Sequence, residues 1–230
     1  MTKLDMISDT IISDIERGLL REGDQLPSEE KLAERHGVSV GTVQKALARL
    51  ATSGIVSRQH GRGTFVTGSK VAAADVRFMR FRDADGNDLT LYVHVRSVRR
   101  IKQKGPWSEF LGGDAFVRIE RSINAGARLD LYSEFWLREE EFARLGGVSR
   151  RSLEKNLQSL LDKQLSLPTL RADQWISFAS LPAVAARALR LDATQPGFVM
   201  ELRGYTLRDQ PLYYQCLYSG PFSERFVIVR

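Results

Sequence analysis

Apolar residues recur at helical spacing from the beginning of the chain. Leu4, Ile7, Ile11, Ile12, Ile15 and Leu19 fall on one face of a helix that should end between Gly18 and Gly23. The turn GDQLP follows. Ser28 then stands where an N-cap belongs, with Glu29 and Glu30 in the first turn, where the helix dipole favours acids. Leu32 and Ala33 are the inward positions of this second helix, and His36-Gly37 is a glycine stop. Ser39 can cap a third helix running to about Ser53-Gly54, with Val43, Ala46, Leu47 and Leu50 as its buried stripe. A turn of about four residues between helices two and three is helix-turn-helix spacing.

After Gly54 the period changes to that of extended chain. Ile55-Val56-Ser57 and Thr64-Phe65-Val66 read as strands flanking the basic turn RQHGRG, which makes a β-hairpin, or wing. Residues 1–68 therefore read as a winged helix-turn-helix domain. The small, polar, alanine-rich stretch TGSKVAAAD supplies a linker over 69–75. From 76 to 230 strands are predicted at 77–81, 89–98, 115–123, 129–137, 197–205, 211–218 and 225–230, and helices at 139–145, 152–163 and 183–191. This is an α+β domain with a mainly antiparallel sheet. Trp136, Trp175 and Phe178 read as core and Trp107, beside Gly105-Pro106, as a loop anchor. There is no internal repeat.

Charge sharpens this division. Residues 1–34 hold four bases against nine acids, whereas residues 35–70 hold Arg35, Lys45, Arg49, Arg58, Arg62 and Lys70 and not one acid. Such a stretch favours a polyanionic partner. The major groove admits one helix, so Val40, Gly41, Thr42, Gln44 and Lys45 are expected to face DNA. Gln44 can bond adenine bidentately, Thr42 can reach a base or a phosphate, and Gly41 lets the backbone come close. Ser39 is either a cap alone or a cap and a phosphate ligand. In the hairpin Arg58, His60, Arg62 and Thr64 would meet phosphate or the minor groove, with Gly61 at the turn. Ser28 and Arg49 complete the candidate set. Arg62 lies in a GRG that lacks the third glycine and following helix of a nucleotide-binding loop.

Other chemistry is sparse. With 230 residues and 43% hydrophobic content the chain can bury a core. No apolar run is long enough to span a bilayer, and the acid-bearing N-terminus does not resemble a signal peptide. The single Cys216 excludes an internal disulfide and fits a reducing cytoplasm. The histidines at 36, 60 and 94 do not cluster at metal-ligand spacing, and neither a nucleophile–base pair nor a cofactor motif is present, so no metal, cofactor or catalytic residue is expected.

The segment LPSEEKLAERHGVSVGTVQKALARLATSGIVSRQHGRGTFV resembles the DNA-binding domain of GntR-family bacterial transcription regulators. Residues 76–230 resemble, more loosely, the effector domain (UTRA) of the HutC subfamily, which has a chorismate-lyase-like fold. That likeness rests on Arg121 in FVRIERS, Glu134 in YSEFWL, Ser152-Leu153 opening a helix, and the closing pattern from Pro211 to Phe226. It implies a cytoplasmic repressor acting as a homodimer on double-stranded DNA with an inverted-repeat operator, and tuned by a small molecule. Candidate effector contacts are Arg121, Glu134, Ser152, Tyr214 and Tyr218. Against these stand a salt bridge from Arg121 to Glu120 or Glu134, and sheet packing for Tyr213, Tyr214 and Tyr218. The family's usual arginines are replaced by Glu30, Val40 and Gln44, so the operator should differ from the common half-site. Ile123 stands where the family's strand has its second arginine. That argues against a phosphorylated sugar and leaves a carboxylate, an amine or a sugar derivative open. Two other readings remain: chorismate-lyase-like catalysis, and a DNA binder without a ligand.

Overall fold

The structure, a computed structural model, describes residues 2–16, 19–21, 23–52, 55–66, 69–71, 80–192 and 194–228. The first three helices are α1 (Lys3–Glu16), α2 (Glu29–His36) and α3 (Val40–Thr52). Ile7, Ile11, Ile12 and Ile15 of α1 meet Leu32 and Ala33 of α2 and Val43, Ala46, Leu47 and Leu50 of α3 in one buried cluster. Leu19 is not part of it; it lies beyond the end of α1 and is 68% exposed. The caps sit where the sequence places them. The Ser28 hydroxyl accepts from Lys31 N at 3.3 Å, and Gly37 ends α2 in the left-handed region at φ 60°. Ser39 Oγ accepts from Thr42 N at 3.3 Å to start α3. The expected helix end at Ser53-Gly54 lies outside the described residues. Strands β1 (Val56–Gln59) and β2 (Gly63–Val66) pair antiparallel as the hairpin.

Next comes β3 (Ser69–Val71), where a linker was expected. This stretch pairs with the strand that begins at Leu91, so three residues of the supposed linker are an edge strand. Residues 67–68 and 72–75, and 77–79 of the strand predicted next, lie outside the described residues. The second unit continues with β4 (Arg80–Arg82), β5 (Leu91–Ile101), α4 (Pro106–Leu111), β6 (Phe116–Ala125), β7 (Leu129–Arg138), α5 (Glu139–Arg144), α6 (Arg150–Leu153), α7 (Leu157–Leu165), β8 (Arg171–Ser180), α8 (Ala183–Leu189), β9 (Pro196–Tyr205), β10 (Pro211–Ser219) and β11 (Arg225–Val227). Seven strands form one antiparallel sheet in the order β3-β5-β6-β7-β10-β9-β8, and β4 pairs with β11 beside it.

Period-two alternation gives the sheet two faces. Val117, Ile119, Ile123, Leu131, Phe135, Leu137, Tyr213 and Leu217 pack under Leu145, Leu153, Leu157, Leu161 and Leu165 of the α5–α7 side. Phe116, Tyr132, Trp136, Tyr214, Cys216 and Tyr218 pack under Leu111, Ala185 and Ala186 of the α4–α8 side.

Three features depart from the sequence pattern. The helix expected over 152–163 is broken, because Asn156 caps a new helix through Ser159 N and Glu154 turns its carboxylate to Val95 N at 3.1 Å. Trp107 belongs to a short helix, α4, and stacks on Trp136 with centroids 4.9 Å apart. Trp175 and Phe178 are not core: they lie on β8, the last strand of the sheet, 48% and 70% exposed. The two units touch where Tyr92 and Ala127 enter the helical cluster of the first.

Candidate nucleic-acid interface and effector site

The wing is fastened to the segment ahead of α2. Leu26 N donates to Thr64 O at 2.8 Å and Val66 N to Asp24 O at 2.9 Å. Gln25 Nε2 donates to Arg62 O at 2.8 Å. Gly63 makes this possible. Its φ is 111°, and a Cβ there would stand 2.5 Å from Gln25 Nε2. An open cleft of about 610 Å³ separates the wing from the start of α2, lined among others by Pro27, Ser28, Glu29, Arg58, His60 and Gly61.

Val40, Gly41, Gln44 and Lys45 of α3 are exposed, as are Ser28, Ser39, Arg58, His60, Gly61 and Arg62; Thr42 is half-buried. Two members of the expected set are placed elsewhere. Thr64 is buried, because β2 turns its side chain into the packing under the wing. Arg49 reaches towards α1 and the second unit, pairing with Asp5 at 3.0 Å and donating to the Ala127 carbonyl at 3.3 Å.

Sequence reasoning missed Glu29, which reads there only as a helix-dipole acid. Its Oε2 accepts from Gln44 Nε2 at 2.8 Å, and its Oε1 pairs with Arg58. No local sequence signal singles it out, since Glu30 and Glu34 stand between it and the acid-free stretch. Its neighbour Glu30 is held below the ordinary carboxyl range by its own backbone N–H and then by Ser28.

The five candidate effector residues fall on opposite faces of the sheet. Arg121 and Ser152 lie on the α5–α7 side. Arg121 is 6% exposed, and its Nη1 donates to Lys155 O at 3.4 Å. Its Nε has no hydrogen-bond partner among the described residues. Burial alone pulls its guanidinium down to about 10. Glu134, Tyr214 and Tyr218 lie on the α4–α8 side and are buried. The salt bridge weighed for Arg121 is not formed. Glu120 and Glu134, paired in register across β6 and β7, share Arg118 instead, which donates to Glu134 Oε1 at 3.2 Å. Arg118 is the second residue that sequence reasoning passed over. Burial pushes the Glu134 carboxyl above its ordinary range; Arg118 opposes that and Glu120 adds to it. Burial likewise pushes the Tyr214 and Tyr218 hydroxyls up, and the Cys216 thiol up to about 11. Tyr213 stacks on Phe135 with centroids 4.7 Å apart, which is sheet packing as expected.

Comparison with known proteins matches both units. Residues 3–66 match the family described as bacterial regulatory proteins, gntR family, and residues 89–219 match the UTRA domain. The chain is 23% identical over 208 residues to the HTH-type transcriptional regulator SmoD of Agrobacterium fabrum, covering 85% of this chain and 87% of that one. It is 23% identical over 200 residues to the HTH-type transcriptional repressor NagR of Bacillus subtilis, covering 86% and 82%. Over 73 residues, 32% of this chain and 30% of the relative, it is 36% identical to the probable fructoselysine utilization operon transcriptional repressor of Escherichia coli. Among solved structures, the ligand-binding domain assigned to a GntR-family transcriptional regulator of Bordetella bronchiseptica aligns with TM-score 0.57 at 18% identity, covering 67% of this chain and 98% of that one.

Proposed function

The chain belongs to the gntR family of bacterial regulatory proteins, as a member with a UTRA domain, and from that premise we propose how it works. It is a DNA-binding transcription regulator with a domain for a small-molecule effector. Our reading is that it acts as a repressor and by binding rather than by catalysis; NagR and the fructoselysine regulator are both named as repressors. The domain division we adopt is 1–68 and 76–230, with β3 of the intervening stretch added to the second sheet.

The DNA reading is supported by the exposure of Val40, Gly41, Gln44 and Lys45 of α3 and of Arg58, His60 and Arg62 of the wing, with Glu29 bonded to both Gln44 and Arg58. Helix in the major groove and wing on the backbone is the docking this surface allows. We further propose a homodimer joined at the far edge of β8. That edge pairs with no strand among the described residues and exposes Trp175, Ile176 and Phe178. Such an edge is a template for pairing, and two-fold symmetry then calls for an inverted repeat. For the effector we favour the α5–α7 side at Arg121: a buried guanidinium with no carboxylate partner among the described residues calls for an anion, and a carboxylate suits one arginine.

Selection from a randomised duplex library tests the reading. The full chain should enrich an inverted repeat, and Lys45→Ala with Arg62→Ala should enrich none. Enrichment unaffected by those changes would remove the surface from the interface.

A further inference from the structure

Glu29 stands between the two parts of the DNA-facing surface and touches both. Its two carboxylate oxygens accept from Gln44 of α3 and from Arg58 of the wing. A carboxylate is acceptor-only, so it fixes the amide of Gln44 with Nε2 towards Glu29 and Oε1 away from it. It also occupies the guanidinium that would otherwise be offered to a phosphate. The pair with Arg58 is solvated, with side chains 43% and 24% exposed, so it can be exchanged for another anion. A phosphate approaching the cleft meets a negative charge at the place where it would meet Arg58.

We propose that Glu29 is a specificity-determining residue of the interface. This inference rests on the reading of the α3–wing surface as the DNA-binding face. Glu29 withholds Arg58 from indiscriminate phosphate contact and presents the Gln44 amide in one orientation to a base edge. Any duplex must displace Glu29 to gain Arg58. Only a duplex with the matching base gains the Gln44 contact as well. The neighbouring Glu30 carries the same charge, is engaged by Ser28 and its own backbone, and has no contact with Gln44 or Arg58 among the described residues.

The test uses the full chain with two probes: a duplex of fixed random sequence, titrated at several salt concentrations, and a randomised duplex library. Glu29→Gln should tighten binding to the random duplex about tenfold. The salt dependence should steepen by about 0.9 in log–log slope, the value for one more neutralised phosphate. Enrichment at one base pair of each half-site should fall. Glu29→Asp keeps the charge at the helix start but shortens the reach, and should change both readouts in the same direction. In an Arg58→Ala background the gain on the random duplex should vanish. If Glu30→Gln tightens random-duplex binding as much as Glu29→Gln, or the gain survives Arg58→Ala, the inference is wrong and only overall charge is at work. If the chain with Glu29 intact binds duplex equally well after Lys45→Ala and Arg62→Ala, the underlying reading has failed instead.

Discussion

Two arginines mark the contrast between the units. Arg58 on the wing is paired with Glu29 and solvated, whereas Arg121 in the sheet is buried with neither Glu120 nor Glu134 for a partner. An exposed ion pair is worth about 0–1 kcal/mol, so Arg58 can change partners with little loss. A buried charge has no such freedom: water cannot reach it, and its desolvation is offset only by what enters beside it. The wing arginine therefore suits a polymer that arrives and leaves with salt. The sheet arginine suits one small anion held in place.

The strongest way to break this contrast is Arg121→Met. A cation whose counter-ion is an effector should be dispensable to the fold, so the unliganded variant should unfold at the same temperature as the wild type or higher. Its response to ligands should weaken sharply. Thermal-shift screening with small carboxylates and phosphates should give hits on the wild type, and those hits should weaken about a hundredfold on the variant, within the 2–5 kcal/mol range for truncating one side of a buried charge pair. A marked drop in unliganded stability would instead make Arg121 a structural residue, and the contrast would fail.

A smaller effect is expected on the wing. Arg62→Ala should weaken duplex binding about evenly across sequences and flatten the salt slope by about 0.9. Weakening on one sequence only would transfer that arginine from phosphate to base readout. Smaller again is Gly63→Ala. It forces a side chain into φ 111° and against Gln25, so a loss of about 1–2 kcal/mol is expected by denaturant titration. No loss would mean that Gln25 swings aside and the wing is less firmly fastened than its hydrogen bonds imply.

The two units also differ in how far their sequences disclose them. The first is built from local signals: Ser28, Gly37 and Ser39 each act within a few residues of themselves, and each sits where its type predicts. In the sheet the deciding contacts are distant in sequence. Whether Trp175 and Phe178 are core depends on β8 being the last strand, and no period in that segment records it. Arg121 and Glu134 are separated on opposite faces by the β6–β7 register, which pairs Glu120 with Glu134 and Arg121 with Ser133. A shift of one residue would have reversed it. Even in the first unit, the Glu29 contacts with Gln44 and Arg58 span 15 and 29 residues and escape local reasoning.

The smallest predicted effect concerns the buried glutamates. Burial raises the Glu134 carboxyl above its ordinary 4.5, despite Arg118. The folded state therefore holds that proton more tightly than the unfolded chain does. Where the native state binds more protons, stability falls as pH rises, so the burden of ionised Glu134 is full above its raised value and fades as pH drops towards 4.5. Glu134→Gln removes the ionisation and leaves Glu120 to hold Arg118. The variant should therefore melt above the wild type near pH 8, with the gap closing towards pH 4.5. A gap that is constant with pH would mean that Glu134 is no harder to ionise in the fold than in the unfolded chain. In that case Arg118 compensates it fully, and the α4–α8 face would hold a balanced ion cluster while Arg121 kept no carboxylate partner among the described residues.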